Sequence, residues 1–449
     1  MFFSDLSTTL CCYARYRTQR TAALRRQDHA TSMKDSPKLR VRERADAEQT
    51  DRNTKHSAGQ RICMIAYTHY RYDQRVRRAA EAFASRGDTV DIISLSEDLT
   101  SAEETINRVR ITPLRLGKYQ GSNVGNYVSG YIRFLAAAAW TVTRRHLPNR
   151  YDVIYIHTMP DFMVFASLPA KLMGAKVILD VHDTMPELWQ SKFRVSERNI
   201  LVRLSKLQEW VSCWFADRVV AVHEPHRHLL QTRGVTASKI TVVMNVPDPT
   251  LFGAPLSHKN GYAEDLRRPR LVYHGTITER LGLDIAIRAF KGVLDVVPEA
   301  RFELYGTGDF AAELTNLIKS LGLEKSVYFP NQNFRGEDIP QLLRGAMIGV
   351  ISNRLDPATQ YMLPVKLLEY VYLGIPAVVP KLSTIQYYFE EDAVAYYVPE
   401  NVSSLQNAIC GLLGDRHKRE RLIENAQLFS RKYSWEQMKA GLIRVTDDI

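Results

Sequence analysis

From residue 61 onward, short apolar runs alternate with stretches whose apolar positions recur every three or four residues. RICMIAY (61–67) reads as a buried parallel strand. Behind it, Val76, Ala79, Ala80, Phe83 and Ala84 share one helical face, and Gly87 stands where a helix usually ends. VDIISL (90–95), YDVIYIH (151–157), AKVILDVH (175–182), DRVVAVH (217–223) and KITVVMN (239–245) are further strands, separated by helices, one of them long and passing through Trp210. The rhythm breaks in VPDPTLFGAPLSHKNGYAEDLRRP (246–269), which carries Pro and Gly without a period and places a linker at 248–269. It restarts with RLVYHG (270–275), ARFELYG (300–306), SVYFP (326–330), AMIGVIS (346–352), IPAVVP (375–380) and AVAYYV (393–398). Helices fill 402–446.

Strands alternating with helices imply parallel sheets with right-handed crossovers. The chain of 449 residues is long for one core, so the α/β pattern divides into two doubly wound Rossmann-like domains, 58–247 and 270–432, with a closing helix over 433–449. In such sheets ligands bind beyond the carboxyl ends of the strands, so two domains facing each other form one cleft. Residues 1–57 lack a period and hold 12 Lys/Arg against 7 Asp/Glu, which reads as a disordered basic extension. Met33, just ahead of the patterned part, leaves open whether translation begins there.

Charge narrows the partners. The net +11 asks for an anion, and the extension supplies only +5 of it, so the surplus is spread rather than gathered in a nucleic-acid-binding arm. A phosphorylated substrate or an anionic membrane surface remains. No apolar run reaches the ~18 residues of a membrane span. FLAAAAWTV (134–142), bounded by Arg133 and Arg144–Arg145, reads either as a buried helix or as one lying on a membrane through Phe134 and Trp140. The five cysteines have no scaffold or metal-ligand spacing, which points weakly to a reducing, cytoplasmic setting.

The segment with most chemistry is LPVKLLEYVYLGIP (363–376). Pro364 fits a first helical turn, and Lys366 and Glu369, three apart, share a face. A helix start attracts phosphate, Lys366 adds a cation, and Glu369 one turn deeper can accept from a vicinal diol. That arrangement suits a nucleoside diphosphate; the competing reading is an ordinary surface pair. ILDVHDTMPELW (178–189) puts His182 and Asp183 at a strand tip, as a site or as a local cap, and His157 ends the preceding strand. AYTHYRYDQRV (66–76) lacks the Gly-x-Gly-x-x-Gly of a dinucleotide site, so NAD is not expected. Its Tyr70, Asp73 and Arg75 suit an acceptor sugar, or, for Asp73, a helix cap. HEPHRH (223–228) reads as a cap before a metal site, and no Asp-x-Asp stands at a strand end, so no metal is expected.

These segments resemble family-4 retaining glycosyltransferases of the GT-B fold, whose motif reads approximately Pro-x-Lys-x-x-Glu-Tyr-x-x-x-Gly-x-Pro. HGTITERLGLD (274–284), LYGTGDF (304–310), NVPD (245–248) and YSWEQM (433–438) are similar to other family segments in the same order, so the resemblance covers about 61–445. It implies a donor site in the C-terminal domain at Gly275, Thr276, Arg280, Gly306, Pro364, Lys366 and Glu369. It also implies a contact from His182 to the transferred sugar, an acceptor domain at the N-terminus, and a closing helix that returns to it. Two departures stand out: many members have Arg where this chain has Thr276, and Glu where it has Tyr361. The implied reaction is metal-independent transfer from a UDP- or GDP-linked sugar, with retention, to a glycan or lipid-linked acceptor in exopolysaccharide or surface-glycan synthesis. A catalytically inactive donor-binding subunit and a same-fold epimerase are the alternatives.

Overall fold

The computed structural model describes residues 59–96, 102–117, 124–253 and 268–449. The basic extension and most of the linker lie outside them.

The N-terminal domain runs β1 (Arg61–Ala66), α1 (Gln74–Arg86), β2 (Thr89–Leu95), β3 (Glu104–Ile106), β4 (Val109–Leu114), α2 (Val124–Asn149), β5 (Val153–His157), α3 (Leu168–Leu172), β6 (Lys176–Val181), α4 (Met185–Phe193), α5 (Ile200–Phe215), β7 (Arg218–Ala221), α6 (Glu224–Thr232), β8 (Ile240–Val242) and α7 (Pro249–Phe252). Its eight strands are ordered β3-β4-β2-β1-β5-β6-β7-β8, all parallel except β3. The C-terminal domain runs β9 (Arg270–His274), α8 (Leu283–Val296), β10 (Arg301–Tyr305), α9 (Ala311–Ser320), β11 (Val327–Tyr328), α10 (Ile339–Leu343), β12 (Ile348–Val350), α11 (Pro357–Gln360), α12 (Val365–Tyr372), β13 (Ala377–Pro380), α13 (Ser383–Tyr388), β14 (Ala395–Tyr397), α14 (Val402–Gly414), α15 (Arg416–Lys432) and α16 (Trp435–Asp447). Its sheet is parallel, ordered β11-β10-β9-β12-β13-β14. Both domains are thus doubly wound, reversing direction beside β1 and beside β9, and each reversal opens a crevice at the strands' carboxyl ends.

The apolar runs are strands because both faces of each sheet are covered. In the N-terminal sheet, Ile62 and Met64 face α1 while Cys63 and Ile65 face the α2 side, all 0% exposed. The last helix, α16, leaves the C-terminal domain and seats Leu442 and Val445 in the core beneath α1. Trp435 and Met438 at its start pack against both domains' cores. The sheet ends approach each other directly: His223, just past β7, lies 2.9 Å from the Tyr361 carbonyl, and the Tyr388 hydroxyl accepts from the Glu224 amide at 2.9 Å.

Three features add to or alter the expectations. The long helix through Trp210 is α5, and a separate short helix, α4, precedes it, because Arg194 turns left-handed (φ 51°) and the Asn199 side chain caps a new start. The hairpin β3–β4 was not expected; it is a short edge pair of mixed polarity. Phe134 and Trp140 do not share a face: Phe134 is buried against Tyr67, its ring 5.0 Å away, while Trp140 is 69% exposed. Among the described residues no helix is long and apolar enough to cross a membrane.

Candidate active site

The carboxyl end of β9 gathers the first constellation. Gly275 follows the strand with φ 111°, and a side chain there would meet the Lys366 side chain at 3.3–3.4 Å. The Lys366 ammonium donates to the Tyr273 hydroxyl at 2.9 Å and lies 4.1 Å from that ring's centre. Tyr273 in turn donates to the Thr276 carbonyl at 2.7 Å. Helix and glycine loop are therefore joined through one phenol. One turn further along α12, Glu369 Oε2 lies 3.0 Å from His274 Nε2. Arg280 is half-buried, and its Nη1 has no hydrogen-bond partner among the described residues. Burial pulls the Lys366 amine down to about 7, nearby Arg280 adds to the fall, and Glu369 opposes it.

What holds this geometry is packing beneath it. Gly349 of β12 leaves room for the Tyr370 ring, since a Cβ there would come within 2.3 Å of it, and the Tyr370 hydroxyl donates to the Val272 carbonyl at 3.3 Å. Helix α12 begins at Val365 with Pro364 as its cap, one residue later than a first-turn proline would place it. In its first turn the Leu367 amide donates to the Pro364 carbonyl at 2.9 Å, and the helix start turns its positive dipole end toward the loop. The second glycine turn lies behind the first. A Cβ on Gly306 would fall 1.9 Å from the Gly275 carbonyl oxygen, and one on Gly308 2.1 Å from that of Ile277. The Gly275 and Ile277 amides donate to the Tyr305 and Thr307 carbonyls at 2.8 and 3.0 Å. Gly306 therefore supports the Gly275 loop from behind. Thr276 is exposed at the loop tip.

The second constellation lies at the carboxyl ends of β5 and β6. Asp180 is buried, and both its oxygens take the Arg75 guanidinium, at 2.6 and 3.1 Å. Tyr155 donates to it at 3.2 Å. His157 Nδ1 lies 3.2 Å from Asp180 and 3.0 Å from His182 Nε2, which is itself 3.4 Å from Asp180. Burial alone would raise the Asp180 carboxyl, yet Arg75 and the imidazoles hold it well below the usual carboxylate range. Burial likewise lowers the His157 imidazole. His182 is the member of this group that reaches the cleft, with its side chain 17% exposed, and Asp183 follows it in the same loop, half-buried. These two histidines and Asp180 are close enough to share a cation, but Arg75 already engages both oxygens of Asp180.

Several acceptor expectations do not fit this geometry. Arg75 is a buried counter-ion that also donates to the Val243 carbonyl at 2.9 Å. Tyr70 is 2% exposed in the core under α1. Asp73 caps α1 by accepting from the Val76 amide, and His157, 1% exposed, sits behind His182. His223 likewise caps α6, accepting from the His226 amide at 3.1 Å, and burial lowers it to about 4. Three residues that take part were missed: Tyr273, His274 and Asp180. Each had a signal, a polar or charged side chain inside an otherwise apolar strand run.

The loops meet across the cleft. Ser191 on α4 donates to Asp356 at 3.0 Å, Arg194 pairs with Glu279 at 2.7 Å, and Arg77 pairs with Glu337 at 2.6 Å. Arg233 ties α4 to α5 by gripping Glu187 and both oxygens of Glu209.

Two facing doubly wound domains, with a glycine loop and helix start on one and a histidine-bearing strand tip on the other, define a GT-B glycosyltransferase architecture. The chain belongs to the group 1 glycosyltransferases: residues 72–245 match the glycosyl transferase 4-like domain and residues 257–429 the glycosyl transferases group 1 family. An exopolysaccharide phosphotransferase of Streptomyces coelicolor is 24% identical over 328 residues, covering 65% of this chain and 34% of that protein. A sulfoquinovosyl transferase of Arabidopsis thaliana is 22% identical over 298 residues, covering 63% and 54%. The chain thus spans a third to about half the length of these curated relatives. Among solved structures, the sucrose-phosphate synthase of Thermosynechococcus elongatus superposes with a TM-score of 0.69 at 16% identity, covering 87% of this chain and 98% of that one. Anabaena HepE in complex with UDP-glucose gives 0.64 at 17%, covering 87% and 100%.

Proposed function

We propose that this glycosyltransferase takes a sugar from a nucleoside diphosphate sugar, held by the C-terminal domain, and passes it to a hydroxyl of a glycan or lipid-linked acceptor. The observation that carries the donor reading is the joined set at the end of β9, where Lys366, the unpartnered Arg280 Nη1 and the start of α12 converge on a side-chain-free loop at Gly275. Cationic groups fixed around a loop position without a side chain suit a leaving diphosphate, whose charge grows as the glycosidic bond breaks. Glu369 lies one turn deeper, where a ribose diol attached to that diphosphate would reach. The UDP and UDP-glucose in the HepE crystals support uridine as the base proposed here.

His182 from the opposite domain is the group we assign to the transferred sugar. Asp180 and His157 occupy its Nε2 side, which leaves Nδ1 for substrate. Retention of configuration and a role in exopolysaccharide assembly complete the reading, the latter supported by the Streptomyces relative. The test is calorimetric titration with UDP and GDP of the wild type and of Glu369→Ala. Micromolar UDP binding lost in the variant supports the donor site. A folded wild type that binds neither nucleotide overturns it.

A further inference from the structure

Helix α5 is amphipathic in the inverse sense. The residues it turns inward are Val202, Ser205, Glu209, Ser212 and Cys213, and the buried Glu209 needs the Arg233 guanidinium to be tolerated there. The residues it turns outward are Ile200, Leu201, Leu204, Leu207, Trp210 and Trp214, each between 41% and 68% exposed. A helix that hides serines and displays leucines and indoles is not arranged for water on its outer side, and an apolar surface of this extent marks a binding face.

We propose that this face docks on a bilayer containing anionic phospholipid. The occupant follows from the charges around it. Between Lys192 and Lys206 the chain carries five cations against one carboxylate, Glu197; of these Arg194 pairs with Glu279 and Lys206 with Glu197. Arg198 and Arg203 are exposed beside the apolar row. A second copy packing the same face against itself would bring these cations together, whereas phosphate headgroups neutralise them. Two tryptophans at the carboxyl end of the helix suit the depth where a bilayer turns from headgroup to chain. Since no described helix can span a membrane, the attachment is by lying on the surface.

The position has a purpose in the transfer reaction. Helix α5 packs against α4, which follows the His182–Asp183 loop and touches the donor domain through Ser191 and Asp356. Docking through α5 therefore brings the cleft to the bilayer, where a lipid-linked acceptor resides. This deepens the acceptor reading given above and rests on it for its meaning, although the surface itself is measured without turnover.

The experiment is co-sedimentation of the full chain with vesicles of phosphatidylcholine alone or with about a third phosphatidylglycerol, at near-physiological salt. The wild type is expected to bind the anionic vesicles. The double variant Leu204→Gln/Leu207→Gln, both positions exposed, is expected to lose at least about tenfold in vesicle affinity while keeping its melting temperature and UDP affinity. Trp140→Gln on α2 is expected to bind like the wild type. The proposal is overturned by a wild type that ignores anionic vesicles, or by a double variant that still binds them. A loss that follows Trp140 instead, or a dimer dissolved by the double variant with no vesicle binding, overturns it equally. UDP binding that is absent from the wild type would sink the donor reading and leave the docking result standing.

Discussion

The contact between the two glycine turns makes Gly306→Ala a sharp probe of the donor loop. The added Cβ would lie 1.9 Å from the Gly275 carbonyl oxygen, where approaches below 3.0 Å are essentially never seen, so the two backbones must part by about 1.1 Å. Neither side can yield by a rotamer change, because both are main chain. The Gly275 amide is also fixed to the Tyr305 carbonyl at 2.8 Å, so the displacement passes into the loop that faces Lys366. A misplacement of about 1 Å at a reacting site costs about 10²-fold in turnover. Overpacking of this kind costs about 1–3 kcal/mol in stability. The control is Gly322→Ala in the same domain. Gly322 has φ 67° with nothing within 4 Å of a new Cβ, so the variant carries only the left-handed backbone penalty of about 1–2 kcal/mol. Gly306, at φ 155°, carries a backbone penalty beside the clash, so Gly306→Ala is expected to melt lower than Gly322→Ala. Gly306→Ala alone is expected to lose at least tenfold in UDP affinity by calorimetry, with kcat/KM falling about 10²-fold. UDP affinity in Gly306→Ala within twofold of Gly322→Ala would refute the claim that the second turn supports the first.

Other outcomes follow from the same geometry. A diphosphate favours the charged Lys366 amine, whose pKa burial lowers to about 7, so UDP affinity should fall as pH rises above about 7 and flatten in Lys366→Met. The same lowered value means that between about 7 and the ordinary ~10.4 of lysine the folded chain holds fewer protons there than the unfolded one. Stability should therefore rise with pH across that window, more steeply in the wild type than in Lys366→Met, as read by denaturant midpoints. Asp180→Asn strands the Arg75 guanidinium in the core and is expected to cost about 3–5 kcal/mol in chemical denaturation. His182→Ala should leave UDP affinity unchanged, because UDP lacks the transferred sugar, while kcat falls about 10²-fold or more in a transfer assay.

The strand–helix alternation was legible because parallel strands buried on both faces are written as unbroken apolar runs, and RICMIAY and ILDVH need no tertiary knowledge to be found. The β3–β4 hairpin escaped because Glu104–Ile106 is short, polar and at an edge. Site residues divide by how far apart in sequence their partners lie. Lys366 and Glu369 share one helix, so their common face could be read from spacing. Arg75 could not be assigned this way: its partner Asp180 stands 105 residues away, and a basic residue in a helix's first turn looks the same whether it meets solvent or a buried carboxylate. Tyr70 was misread for a similar reason, since its aromatic ring suits a sugar or a core equally. The two glycine turns were each visible, but their contact, which gives Gly306 its role, exists only once β9 and β10 pair.

The closing helix α16 has a mechanical meaning. The chain passes between the two domains twice, once after β8 and once between α15 and α16. The two passages lie side by side, with Arg78 reaching both the Val246 carbonyl and the Trp435 ring, 5.3 Å from its centre. A single strand would act as a swivel, free to twist in any direction. Two adjacent pins resist such twisting and favour rotation about the line through them, like a door on its frame. The cross-cleft ion pairs at Arg194 and Arg77 are exposed or half-buried and individually worth only about 0–1 kcal/mol, so they act as a light catch on that door. Rotation about that line would carry His182 toward and away from the Gly275 loop.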